Sequence, residues 1–247
     1  MNLPFRLIPL ELSQSLLGET REIYPMLLTN GSESHLIDAG YPGQAPLLSQ
    51  KMNDAGVSPD SLSSVFLTHQ DIDHIGGLPE LIQRSRRPVA VMTSALEKPH
   101  VEGDRPILKF TPAVREQLKH APEEIGGPLL RLMDNPPKAK VTVLLEDGEP
   151  HPYALEWTVI ATPGHTPGHI SLFHRESRIL IAGDALEAKR GVLAAPDPTL
   201  CHDPANAYAS LIKLAELNPS DIWCYHGGCV KDASGPLAEL AKRGLQA

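Results

Sequence analysis

Residues Thr68-His69-Gln70-Asp71-Ile72-Asp73-His74-Ile75-Gly76-Gly77 follow directly on an apolar run. His69, Asp71, Asp73 and His74 place four nitrogen or oxygen donors within six residues. In an extended loop, positions 69, 71 and 73 project to one side, and His74 reaches in from the other. Mixed imidazole and carboxylate sets of this kind suit zinc, manganese or iron. A solvated polar loop would not explain why an apolar strand ends in four donors with a Gly-Gly turn behind them. Three later segments repeat the arrangement. His165 and His169 lie in the stretch 161–169, Asp184 closes Ile181-Ala182-Gly183, and His226 follows Trp223-Cys224-Tyr225 and runs into Gly227-Gly228. Each donor sits at the end of a strand-like run, and four strand ends converging on one rim would hold a site on rigid supports.

The elements that must position these residues can be read from hydrophobic periodicity. Residues 5–10, 24–29 and 34–38 read as sequential strands separated by polar segments around Gly18 and Asn30-Gly31. Residues 46–55 carry apolar positions at helical spacing and lead to a strand at 64–68. A helix over 78–84 and a strand over 89–92 follow the donor loop. Residues 111–133 are helical in parts, interrupted by Pro122 and Gly126-Gly127, and belong to an insertion around 93–140 expected to cover a cleft, with Leu118, Leu129, Leu130, Leu132 and Met133 as its apolar wall. Strand spacing returns at 141–145, 155–161, 170–174 and 179–182, with Glu176 and Ser177 turning between the last two. A helix over 205–217, a strand over 221–225 and a helix over 233–242 complete the chain. Strands in two blocks with helices beside each predict two packed sheets flanked by helices, an α+β architecture expected to form a single domain over residues 1–247.

Composition narrows the functions available. Hydrophobic residues at 41% and charged residues at 21% of 247 are those of a globular protein with a sizeable core. The net charge of −8, with no basic run beyond Arg84, Arg86 and Arg87, argues against nucleic acid and polyanionic partners. Every apolar stretch falls short of the roughly 18 residues that cross a bilayer, so no membrane partner is expected. Three cysteines, Cys201, Cys224 and Cys229, are an odd set that suits a reducing compartment, and the expected location is the cytoplasm. Cys224 reads as a buried thiol, and Cys229 has no assigned role.

Taken together, the donor segments resemble the metallo-β-lactamase superfamily, whose pattern His-x-His-x-Asp-His is followed by a distant His, a bridging Asp and a last His. The resemblance takes in Leu36-Ile37-Asp38-Ala39-Gly40, similar to the family's strand and turn beside the metal loop, and covers nearly the whole chain. It implies an αββα sandwich of two mixed sheets flanked by helices, with a dinuclear site at one edge. It also implies that His69, Asp71 and His165 hold the first of two divalent ions and Asp73, His74 and His226 the second, with Asp184 bridging. Zinc is the first expectation for both. A metal-bridging hydroxide would then attack a carbonyl, and Asp73 is the catalytic residue expected to move the proton to the leaving group. His169 is expected to support the loop from behind, and His35, His100, His120, His151, His174 and His202 read as surface or packing residues.

Asp71 departs from the pattern, since most family hydrolases carry histidine there. Three carboxylates and a hydroxide neutralise two divalent ions, where the histidine version keeps a positive charge, and the harder oxygen donor tilts the site toward manganese or iron. The substrate expected is a small-molecule ester, lactone or thioester, neutral or cationic because the protein is acidic. Among hydrolases of the family, acyl-homoserine lactonases place a tyrosine after the bridging aspartate, whereas this chain has Ala185-Leu186-Glu187. The basic C-terminal region of the glyoxalase II type is also missing. The alternative is an iron-dependent oxidoreductase on the same fold, similar to persulfide dioxygenases or, through its carboxylate, to flavodiiron proteins.

Overall fold

A computed structural model describes residues 5–16 and 19–243. The chain opens with β1 (Arg6–Pro9), the hairpin β2 (Leu12–Leu16) and β3 (Glu19–Ile23), then β4 (Met26–Thr29) and β5 (Ser34–Ile37). The turn expected around Gly18 lies outside the described residues. Next come α1 (Ala45–Asp54), β6 (Leu62–Phe66), α2 (Ile72–Ile75), α3 (Leu78–Arg84) and β7 (Ala90–Ser94). The covering segment holds α4 (Lys98–Val101), α5 (Pro112–Lys119) and α6 (Glu123–Asp134). After it run β8 (Val143–Leu145), β9 (Pro150–His151), β10 (Ala154–Ala161), β11 (Ile170–His174) and β12 (Ile179–Gly183). The hairpin β13 (Glu187–Lys189) and β14 (Val192–Ala194), α7 (Pro204–Glu216), β15 (Asp221–Cys224), β16 (Gly228–Val230) and α8 (Ser234–Arg243) complete the order.

The strands form two six-stranded mixed sheets, β1-β4-β5-β6-β7-β8 and β16-β15-β12-β11-β10-β9. Alternation along each central strand explains why the sheets stack with helices outside. In β6 and just beyond it, Phe66 enters the core between the sheets, while Val65 and Leu67 face the helices α1 and α3 through Leu48, Met52, Leu78 and Leu81. In the second sheet, Leu172 and Ile181 join Phe66, Met92 and Trp157 between the sheets, while Phe173 and Leu180 pack outward on Leu211 and Leu214 of α7 and Leu237 of α8. Because both faces are buried, these strands read as near-continuous apolar runs. The result is the four-layer αββα sandwich.

Strand direction brings the donors to one edge. β5, β6 and β7 are parallel, as are β12 and β15, and β10 runs with β12 because each is antiparallel to β11. The segments after β6, β10, β12 and β15 therefore emerge together.

Two expectations need correction. The donor loop is not extended throughout: His74 N and Ile75 N donate to Asp71 O, and Asp73 and His74 leave from the short helix α2. Gly126-Gly127 does not break the covering helix, for α6 runs through both. Gly126 is required because a Cβ there would come within 2.2 Å of the Leu118 carbonyl of α5.

Candidate metal centre

Two donor groups form at the shared edge. His69, Asp71, His165 and Asp184 each offer an atom within 4.8 Å of the others, and Asp73, His74 and His226 do the same. In the first group, Asp71 Oδ2 is 3.2 Å from His69 Nε2 and 3.0 Å from His165 Nε2. In the second, Asp73 Oδ2 lies 3.2 Å from His226 Nε2. Asp184 reaches into both: its Oδ2 is 3.4 Å from His165 Nε2 and 3.5 Å from His226 Nε2, and its Oδ1 is 3.3 Å from His74 Nε2. The structure thus brings all seven residues singled out in the sequence to one place.

Surrounding hydrogen bonds aim the rings. Asp38, held at a positive φ of 60° at the end of β5, accepts from Thr68 N and Thr68 Oγ1 at 2.9 Å. Because the Thr68 hydroxyl donates to Asp38, it accepts from His69 Nδ1–H, 3.0 Å away. His74 Nδ1 donates to Asp38 Oδ2 at 2.8 Å. Both rings are left with Nε2 facing the centre, as ligands require. His169 acts from behind, as expected: its Nε2 accepts from Asp184 N at 3.0 Å, which fixes the proton on Nδ1 toward Thr162 Oγ1 at 2.8 Å. Burial and the nearby His69 hold the His169 pKa well below its ordinary value, so it stays neutral. Tyr225 lays its ring 3.8 Å from that of His74 and donates its hydroxyl to Asp73 O. His226 is pinned by Tyr24 N donating to Tyr225 O and Ala188 N to His226 O, both at 2.9 Å. Gly227, at φ +91°, is the only residue type that fits there, since a Cβ would lie 1.8 Å from Ala188 O.

The residues fit a divalent cation. His69 Nε2, His74 Nε2, Asp71 Oδ1 and Asp184 Oδ1 are buried and have no hydrogen-bond partner among the described residues. Such orphaned donors and acceptors are costly unless something between them completes their contacts. Burial alone would push the Asp184 carboxyl up, but His226 and His74 outweigh it and hold it well below the usual carboxylate range. Burial likewise works against charge on His226, yet Asp184 and Asp73 raise its pKa to about 10. Acids this strong beside imidazoles this basic describe a pocket that wants positive charge at Nε2, whether proton or metal.

Two residues that sequence reading missed come from the covering segment. Glu97, buried, accepts from Gln70 N at 3.0 Å, Thr166 Oγ1 at 2.7 Å and Gly168 N at 2.8 Å. It ties the His69–His74 loop to the His165 loop, and burial pushes its carboxyl up to about 7 despite those bonds. Lys109 donates from Nζ to Asp71 Oδ2 and to His165 Nε2, the latter at 2.9 Å. Its side chain is 42% exposed, so its four-carbon stem can swing clear of the donors. Neither residue carries a local sequence signal.

The centre floors a cleft of about 530 Å³. Ile107, Lys109 and Phe110 supply the covering segment's share of its wall, and Leu118, Leu129, Leu130, Leu132 and Met133 do not; they sit on α5 and α6, which pack on each other. The wall also carries Arg21 and Lys189 against Glu22, Glu187 and Asp197, so charges of both signs line the cleft around the donors.

The two-sheet fold with a histidine and aspartate cluster at its edge defines a class of metallo-hydrolases. The family model of the metallo-beta-lactamase superfamily matches residues 20–226, and the chain belongs to that superfamily. It is 33% identical over 228 residues to the probable metallo-hydrolase YflN of Bacillus subtilis (strain 168), across 86% of this chain and 84% of that protein. It is 31% identical over 169 residues to a hydroxyacylglutathione hydrolase of Pseudomonas savastanoi pv. phaseolicola, across 67% of this chain but only 48% of that protein. The crystal structure of the metallo-beta-lactamase family protein TTHA1429 from Thermus thermophilus superposes with a TM-score of 0.72 at 24% identity, covering 97% of this chain and 79% of that one. No helix among the described residues is long and apolar enough to cross a membrane.

Proposed function

We propose that the protein is a dinuclear metal-dependent hydrolase of a small-molecule ester, lactone or thioester. The observation that carries this reading is two donor groups meeting at one carboxylate, Asp184, on the floor of an open cleft. When bound, a pair of divalent ions supplies a water of lowered pKa as nucleophile and polarises the carbonyl under attack. His69, Asp71 and His165 would hold one ion and Asp73, His74 and His226 the other, with Asp184 between them. Zinc is the first choice, with Asp71 admitting manganese or iron.

The remaining work falls to the chain's own side chains. Asp73 lies at the cleft floor with its carboxylate partly exposed, placed to take a proton and return it to the leaving group. Ile72, Phe110 and Leu200 give an apolar wall for the acyl portion. Lys109 reaches the same floor and can donate to an oxygen that gains charge. The hydroxyacylglutathione hydrolase relatives favour a thioester among the three substrate types. The core shared by both sheets supports a single domain, and three unpaired cysteines support a cytoplasmic setting.

Metal analysis of aerobically and anaerobically purified protein, with an ester, lactone and thioester panel, tests the reading. Two ions per chain and turnover abolished by chelation are expected. Protein that takes up no metal when supplemented would overturn it. Oxygen consumption with a persulfide and no hydrolysis would install the iron-dependent oxidoreductase instead.

A further inference from the structure

Beside the metal cleft lies a second cavity of about 520 Å³, with Ile107 and Phe110 as the wall common to both. Leu96 and Leu108 also line it, and Leu96, 62% exposed, is among the few large apolar side chains left open to water. The ionisable groups lining it are Arg105, His100 and His202, and among the described residues no carboxylate does. Arg105 is therefore the one fixed charge among the described residues that line it, in contrast with the mixed charges of the neighbouring cleft. Both of its sides are tied to the metal loops. Leu108 N donates to Gln70 Oε1 at 2.9 Å, and Gln70 stands between His69 and Asp71 in the chain. His202 N donates to His165 O at 3.0 Å.

We propose that this cavity is the subsite for the part of the substrate remote from the scissile carbonyl, and that this part is an apolar chain ending in an anionic group such as a carboxylate. The inference rests on the hydrolase reading of the adjoining centre. A chain laid over Ile107 and Phe110 keeps its carbonyl in the metal cleft and covers its methylenes against Leu96 and Leu108. Its anionic end then meets Arg105, whose planar fork suits a carboxylate. Binding energy gathered there can be used at the reacting centre.

The test compares p-nitrophenyl acetate, p-nitrophenyl octanoate and mono-p-nitrophenyl suberate on the metal-loaded enzyme. A second readout is calorimetric binding of octanoate and suberate themselves. From acetate to octanoate kcat/KM should rise roughly tenfold or more, since each fully buried methylene is worth roughly fourfold. From octanoate to suberate it should rise again by roughly fivefold, as expected for one partly exposed ion pair. Arg105→Glu should erase or reverse the second step, and Leu96→Asp should shrink the first; both side chains are exposed, so neither change disturbs the core. Equal kcat/KM for all three esters, with the suberate-to-octanoate ratio unchanged in Arg105→Glu, would overturn the subsite and leave the hydrolase reading standing. If no ester is cleaved but suberate still binds more tightly than octanoate in an Arg105-dependent way, the hydrolase reading falls and the subsite remains. No turnover and no difference in binding would overturn both.

Discussion

Glu97 is 1% exposed, and its two carboxylate oxygens collect three hydrogen bonds from the two loops that carry His69 and His165. Glu97→Ala would strand those donors in the interior, at about 1–3 kcal/mol for each group left unpaired. Glu97→Gln is not conservative, because its NH2 must face an N–H or O–H that needs an acceptor. Both variants should therefore lower the urea midpoint, with Ala the worse. Both should also weaken metal retention in a chelator competition by on the order of 10–100-fold, the usual consequence of losing a support behind the ligands. Unchanged retention in a folded Glu97→Gln protein would show that the loops hold their positions without it. Asp71 gives the complementary case. Asp71→His restores an imidazole and removes a negative charge, so zinc should gain on manganese in direct competition. It also removes the Asp71 acceptor for Lys109, leaving that ammonium held by His165 Nε2 alone.

At the scale of elements, adjacent glycines in α6 should respond with opposite signs. At Gly126 a Cβ meets the backbone of α5, so Gly126→Ala should force the two helices apart and cost about 1–3 kcal/mol. At Gly127 the atoms in the way are the ends of the Glu123 and Arg131 side chains, which can move, so Gly127→Ala should gain up to about 1 kcal/mol of helix propensity. Thermal unfolding of the two variants decides it. A second element-level prediction concerns the β9–β10 turn, where His151 Nδ1 accepts from Tyr153 N and Ala154 N. Burial, with the neighbouring His35, lowers the His151 pKa from 6.5 to about 3. A histidine depressed in the fold binds its proton more readily when unfolded, so stability is full above pH 6.5 and declines as the pH falls toward 3. One proton gives a slope of up to about 1.4 kcal/mol per pH unit. His151→Asn should flatten urea stability between pH 4 and 6. These elements also show what the sequence could disclose. The donors were legible because each follows its own strand within a few residues, an order that local reading captures. Glu97 and Lys109 were not, because their contacts arise only when residues 97–110 fold back over loops 27 to 71 positions away. The helical turn at Asp71 was misread as extended because four residues are too few to show a period.

For the whole molecule, the placement of the donors makes metal binding a stability question as well as a catalytic one. His69, Asp71, Asp73 and His74 follow β6 of the first sheet, whereas His165, Asp184 and His226 follow β10, β12 and β15 of the second. A metal on the first group joins His69 and Asp71 to His165 and Asp184, and one on the second joins Asp73 and His74 to His226, so each ion would cross-link the two sheets. An unfolded chain cannot present these sets, so binding free energy is added to folding free energy; at a free-metal concentration 1,000 times Kd the gain is about 4 kcal/mol. Zinc-loaded protein should thus unfold at a higher temperature than chelator-treated protein, in one transition that reports both sheets. The gain should shrink in His165→Ala, which removes a second-sheet donor from the first group. It should persist in Arg105→Glu, which lies outside both groups. A Tm indifferent to zinc and chelator alike would mean that no ion joins the sheets, and the dinuclear reading would fall with it.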